Sequence, residues 1–437
     1  MTLKPQLSLR DATLLVVASV VGSGIFFAPA SVATLLPHPV WFLLAWLCGG
    51  LLSVAGACAN AELGAMYPRA GGDYVYLKEA FHPLAGFLVG WFTFFSIFTG
   101  TLATLGVALA ESLTVFFPLS DQGKLLGAIA FVALTSGINY IGLRWGTVLN
   151  NLGSYTKIAA LCAFALCGPL FGQGSVEHWQ ISEETAESVS LPNFALALSP
   201  ILFTYLGWNA PVYVAGEIRC AQRTLPASLF RGLGICTGLY LIVNGVYLYA
   251  LSPQELGAQI NTGATAAQAL FGHEIGAVVG MFTFVSILGT LNATILVGPR
   301  IAYAMALDGL FFGGAQRVHA RYGTPHRAIL IQALVAVLLI LAYGNFARVL
   351  DYTVFGILLA TMADTLALFT LRRRKPGLSR PYRAWGYPTV PAVYLAANLM
   401  LAWMMLRERP QECAASLGLL ALGLPFYLMF VSNQQRD

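Results

Sequence analysis

The stretch Val20-Val21-Gly22-Ser23-Gly24-Ile25-Phe26-Phe27-Ala28-Pro29 sits inside an apolar run that extends from residue 12 to 35. Two glycines around a serine, followed by a proline, interrupt what would otherwise read as one bilayer-crossing helix. A second interruption, Phe203-Thr204-Tyr205-Leu206-Gly207-Trp208-Asn209-Ala210-Pro211, falls in the sixth apolar run. In hydrocarbon every backbone N–H and C=O must be satisfied internally, so unwinding is tolerated only where protein or a water-filled cavity surrounds it. An unwound turn frees amides at the positive end of the following half-helix, which suit a carboxylate, and carbonyls on the other side, which suit an ammonium group. A zwitterionic amino acid carries both charges on one carbon. Two facing breaks therefore read as a site for its backbone, while a glycine pair alone is also the notch of close-packed membrane helices.

The composition agrees with a membrane setting. Of 437 residues, 57% are hydrophobic and 10% charged, with a mean hydropathy of +0.72; soluble domains carry about a quarter charged residues. Twelve apolar runs are long enough to span, at 12–35, 41–66, 84–117, 125–142, 150–172, 193–216, 228–251, 274–306, 328–344, 350–371, 389–406 and 413–431. The first run flows on without a cleavage site, so a retained helix is expected. The breaks lie in the first and sixth runs, five apart, as an inverted repeat of five plus five helices requires. The chain then divides as one transporter domain over 1–437, with a first repeat at 11–172, a second at 193–371, and two accessory helices at 388–432.

Lysine and arginine set the orientation. With the N-terminus cytoplasmic, nineteen of the 24 basic residues fall on inside segments, including the run Arg372-Arg373-Arg374-Lys375, while the outside loop after the fifth run carries Glu177, Glu183, Glu184 and Glu187. Both termini are expected in the cytoplasm. The +5 charge is the sum of this asymmetry and calls for no nucleic acid. The seven cysteines show no metal spacing and no CxxC, and read as packing residues. His273-Glu274 lacks a second histidine at HExxH spacing, no GxSxG is present, and Gly123-Lys124 lacks a phosphate-loop glycine, so neither an enzyme nor a cofactor is expected.

Several further motifs carry a family resemblance. Gly22-Ser23-Gly24-Ile25-Phe26, the segment Ala61-Glu62-Leu63-Gly64 through Tyr67-Pro68-Arg69-Ala70-Gly71-Gly72-Asp73-Tyr74-Val75-Tyr76-Leu77-Lys78-Glu79-Ala80-Phe81, Tyr205-Leu206-Gly207-Trp208-Asn209, and Arg380-Pro381-Tyr382-Arg383 with Gly386-Tyr387-Pro388 together resemble the amino acid-polyamine-organocation permeases, in the L-amino-acid transporter-like branch. The resemblance implies an all-α polytopic membrane protein with twelve transmembrane helices in the LeuT-like five-plus-five inverted repeat, its eleventh and twelfth helices accessory, working by alternating access. It implies that the amides of Ser23, Gly24 and Ile25 receive the substrate carboxylate and that the carbonyls of Val20, Phe203 and Leu206 receive the ammonium. By the same resemblance Phe203 is a gate over the substrate, Trp208 gates or braces the pocket, and Asn209 shapes it. Asn292, in Ser286-Ile287-Leu288-Gly289-Thr290-Leu291-Asn292, either lines the pocket or joins helices.

Lys157, inside the fifth run, is the one basic residue that the count of inside and outside segments leaves over. Either it snorkels to the cytoplasmic surface, roughly 10 Å away at 1.5 Å per residue, or, as the resemblance implies, its ammonium stands where sodium-coupled cousins hold sodium. The second reading gives sodium-independent transport, by exchange or with proton coupling. Asp364 reads as solvated or arginine-paired beside the Arg372 cluster, and Glu62 and Glu217 as partners of Arg69 and Arg219. No acidic residue lies in either break, which favours neutral amino acids over cationic amino acids or amines. An amino-acid-gated channel and a sensor remain the readings from other classes. Eukaryotic heteromeric relatives join a partner subunit through a cysteine between the third and fourth helices, and Phe117 to Lys124 contains none. A monomer or homodimer in a bacterial cytoplasmic (inner) membrane is expected, with no covalently linked heavy chain.

Overall fold

The structure is a computed structural model that describes residues 3–113, 117–180, 190–259, 261–343 and 346–434. Glu183, Glu184, Glu187 and Arg436 of the charge count lie outside the described residues. The described chain is helical, with one isolated bridge between Leu7 and Ile218.

Local chemistry sets the helix starts. Ser8 accepts from the Asp11 amide while the Asp11 carboxylate accepts from the Ser8 amide, a reciprocal cap that opens α1 (Leu9–Val20). After the break, α2 (Gly24–Leu35) continues at a bend of 50°. His38 followed by Pro39 starts α3 (Pro39–Met66), and Gly72 leads into α4 (Asp73–Ala80). The third apolar run becomes α5 (Pro83–Phe92), a π-helical turn at Thr93–Phe98, and α6 (Thr99–Ser112). Then come α7 (Asp121–Tyr140) and α8 (Leu143–Phe171). The second broken pair is α9 (Leu191–Tyr205) and the short α10 (Ala210–Tyr213). The chain continues through α11 (Ala221–Ala250), α12 (Pro253–Gly257), α13 (Thr262–Phe271), α14 (Gly276–Val297), α15 (Pro299–Leu307), α16 (His326–Tyr343), α17 (Phe346–Arg374), α18 (Thr389–Glu408) and α19 (Pro410–Gln434).

Among the described residues, eight helices are long and apolar enough to cross a membrane, or nine when α1 and α2 count as one bent span. At 15 residues α9 is too short by that measure, the apolar stretch of α16 falls short as well, and α7 has the length but not the apolar composition. The two breaks lie at the centre of the packing: α1 runs against α8, α11 and α14, and α9 against α2 and α3.

Three charge pairings differ from those expected. Glu62, fully buried in α3, receives Arg372 at 2.6 Å, Arg380 at 3.1 Å and the Ala384 amide at 2.6 Å, while Arg69 pairs with Glu79. Glu217 takes Arg300 through two bonds of 2.7 and 3.2 Å rather than Arg219. Asp364 is neither solvated nor paired with arginine; it is fully buried. In each case chain folding supplies a partner, or removes one, on another helix. The sequence neighbours Arg69 and Arg219 lie beyond the ends of the elements that carry Glu62 and Glu217.

Candidate functional site

The two breaks meet. Gly207 has φ of +97°, a left-handed conformation that favours glycine, and a β-carbon there would stand 2.9 Å from the Ser19 carbonyl oxygen. Backbone thus lies on backbone, with no side chain between. On the other side of the same contact, a β-carbon on Gly24 would stand 2.8 Å from Thr204 Oγ1 and 3.1 Å from Thr204 Cα. The Tyr240 hydroxyl of α11 lies 2.9 Å from the Val20 carbonyl and 3.1 Å from the Thr204 carbonyl, so one side chain ties both breaks together.

Each break leaves backbone groups for a ligand. The first amides of α2 have no carbonyl one turn behind them, and the Ser23 side chain makes no capping bond. The Phe203 carbonyl accepts from the Leu206 amide at 3.1 Å and keeps a second lone pair. Val20 is more committed, because its carbonyl already receives the Gly22 amide at 2.8 Å besides Tyr240.

A cavity of about 140 Å³ opens at this junction. Val20, Ser23, Gly24, Phe203, Leu206 and Asn209 all line it, and among the described residues no charged side chain does. Ile25, Trp208 and Asn292 are not among its lining residues. Ile25 is fully buried in the core. The Trp208 ring turns to α3, against Gly56. Asn292 joins three helices, accepting from Asn139 of α7 at 2.8 Å and donating to the Gly146 carbonyl of α8 at 2.9 Å.

Sequence reading missed the threonines of the wall, among them Thr104, Thr204, Thr290, Thr294 and Thr361. Their hydroxyls bond back to carbonyls four residues earlier, a habit of threonine in helices that spends the polar atom locally. No distinctive motif announces them. The π-helical turn contributes Ile97 and Phe98 to the wall, in keeping with the frequency of π-turns at functional sites.

Lys157 does not snorkel. It is fully buried, and its ammonium donates to the Ala18 carbonyl at 2.9 Å, the Val21 carbonyl at 2.5 Å and Thr290 Oγ1 at 2.8 Å. All three N–H donors are used. The two carbonyls belong to the C-terminal end of α1, where the helix dipole favours a cation. Thr290 Oγ1 also lies 3.0 Å from the Ala18 carbonyl, so α1, α8 and α14 converge on one charge.

The fold and this site define a multi-pass helical membrane protein with a neutral cavity between two broken helices. The amino acid permease family matches residues 7–416. The chain is 31% identical over 431 residues to the serine/threonine exchanger SteT of Bacillus subtilis, covering 97% of this chain and 96% of that protein. It is 27% identical to the large neutral amino acids transporter small subunit 2 of Homo sapiens (99% of this chain, 82% of the relative) and 28% identical to the Asc-type amino acid transporter 1 of Homo sapiens (98% and 83%). The chain belongs to the amino acid permease family. Its work is transport and not catalysis.

Proposed function

We propose that this chain is a sodium-independent carrier of neutral amino acids that works by alternating access, exchanging one substrate for another across a bacterial cytoplasmic membrane. The observation that carries this reading is the meeting of the two breaks at one uncharged cavity. The substrate carboxylate is assigned to the amides of Ser23, Gly24 and Ile25, and the ammonium to the carbonyls of Phe203, Leu206 and, after release of one of its present donors, Val20. Phe203, half-buried on the cavity wall, is the gate. Asn209 faces the substrate from α10's end, whereas Trp208 braces α9–α10 against α3. The relatives' named substrates, serine and threonine in one case and large neutral amino acids in another, support a neutral substrate.

Sodium independence is supported by the Lys157 ammonium, which occupies the carbonyl end of α1. The reading takes all twelve apolar runs as crossings, adding α7, α9 with α10, and α16 to the longer spans, in two inverted repeats over 11–172 and 193–371 with accessory helices over 388–432. Both termini are then cytoplasmic. On that side the Gln6 and Leu7 amides donate to the Glu217 carbonyl and the Arg219 amide to the Leu7 carbonyl, tying the N-terminal segment to the turn after α10. The protein acts as a monomer or homodimer in the bilayer, with no covalently linked heavy chain.

Reconstituted into liposomes, the protein should take up labelled serine, threonine, alanine or leucine at the same initial rate in sodium and in choline buffer, and take up lysine or putrescine poorly. Uptake that requires sodium, or that prefers the cationic substrates, contradicts the proposal.

A further inference from the structure

Behind the cavity wall lies a group of buried polar atoms that the substrate site does not use. Asp73 opens α4 and Asp364 sits in α17; both are fully buried, with their carboxyl groups within hydrogen-bonding reach of each other. The Tyr213 hydroxyl donates to Asp73 Oδ2 at 2.5 Å, but Asp73 Oδ1 and both Asp364 oxygens receive no donor. Asn60 of α3 stands beside Asp364 and Thr93 of the π-helical turn beside Asp73, neither closing a hydrogen bond to them. Asn60 Oδ1 and Thr93 Oγ1 are themselves buried without a partner.

The surroundings supply no counter-charge among the described residues. The titratable groups that face the pair are the phenols of Tyr76, Tyr213 and Tyr394. Cations on the packed elements are committed elsewhere: Arg300 to Glu217, Arg372 and Arg380 to Glu62, Lys78 to Asp308, and Arg69 and Lys375 to Glu79. Two carboxylates in contact offer only acceptors, and burying both charges without a cation is very costly. One proton turns the contact into an O–H···O bond and removes one of the charges. Among the described residues no group of three or more histidine, cysteine, aspartate or glutamate side chains is placed to hold a metal ion, whereas a metal site calls for several such ligands.

We propose that Asp73 and Asp364 form a proton-binding site in which one proton is shared between the two carboxyl groups, connected to the substrate cavity through Tyr213 and Asn209. The connection is direct. The Asn209 amide donates to the Tyr213 hydroxyl at 3.3 Å, Tyr213 donates to Asp73, and Asn209 and Tyr213 both line the cavity. With the proton bound, Tyr213 is held on Asp73 and the α10 side of the cavity is set. When it leaves, two negative charges face each other behind that wall, and the bound state of the cavity is disfavoured. This linkage rests on the cavity being the substrate site, whereas the proton site itself does not.

Infrared difference spectroscopy on the full-length protein in sodium-free liposomes reads the proton directly. Wild type should show a deuterium-sensitive C=O stretch of a protonated carboxyl at neutral pH, absent in Asp364→Asn and in Asp73→Asn, with two variants used so that misfolding of one leaves the test intact. Absence of the band in wild type, or its loss on adding sodium at constant pH, overturns the proposal in favour of a bare or cation-filled pair. Substrate binding to wild type should weaken about tenfold per pH unit above the titration of the pair, as expected when one proton is required. In Asp364→Asn, whose amide can donate to Asp73 as the shared proton does, it should stay flat; pH-independent binding in wild type overturns the coupling. If no amino acid binds at any pH while the band behaves as described, the substrate reading fails and the proton site stands.

Discussion

Replacing Gly24 with phenylalanine should weaken amino acid binding on the order of 100-fold or more while the protein still extracts from the membrane as a folded, monodisperse species. The carboxylate is assigned to amides at the start of α2, and charge-assisted hydrogen bonds contribute about 1.5–3 kcal/mol each, so losing two of them accounts for this effect. The steric cause is specific. Even the first atom of a side chain at Gly24 meets Thr204 Oγ1 at 2.8 Å and Thr204 Cγ2 at 3.0 Å, so the two broken helices must part and the cavity between them loses its shape. Gly24→Ala should therefore already impair binding. Combining it with Thr204→Ala, which removes both colliding atoms, should recover part of the loss in a double-mutant cycle. Binding by Gly24→Phe at wild-type affinity, measured by titration calorimetry or scintillation proximity, would place the carboxylate elsewhere.

The second large effect belongs to Lys157. Truncation to alanine removes the ammonium from the carbonyls of Ala18 and Val21 and from Thr290 Oγ1, leaving the two carbonyls only the hydroxyls of Thr290 and Ser286. Unsatisfied buried acceptors cost about 1–3 kcal/mol each, and these sit where α1 ends and the break begins. Transport by Lys157→Ala should fall roughly 100-fold, since 1.4 kcal/mol corresponds to about tenfold. If the ammonium stands in for a bound cation, sodium should recover part of that rate in the variant and leave wild type unchanged. Wild-type transport by Lys157→Ala would show that the charge has no role in the cycle. Lys157→Met, which keeps the length of the side chain without the charge, separates packing from electrostatics.

What could be read in the sequence was local. Gly22-Ser23-Gly24 and Leu206-Gly207-Trp208-Asn209 mark their breaks with residues whose backbone preferences are strong, and the caps at Ser8 and His38 are written within a few residues. Facing was not legible. A helix that is apolar all round gives no stripe from which to read which side meets a cavity, so the wall threonines, the turning of Trp208 toward α3 and the bridging role of Asn292 appear only in three dimensions. The same holds for charge: Glu62 finds Arg372 some 310 positions away, and Asp364 finds Asp73. Glycine and proline punctuation locates a site, but the chain's folding decides which side chains complete it.

Trans-stimulation tests the central claim most directly. Proteoliposomes preloaded with unlabelled serine should take up labelled serine several-fold faster than empty ones, in sodium-free buffer, because an exchanger returns its site loaded more readily than empty. Equal rates from preloaded and empty vesicles, or uptake that appears only with sodium, would contradict sodium-independent exchange through the site between the two broken helices.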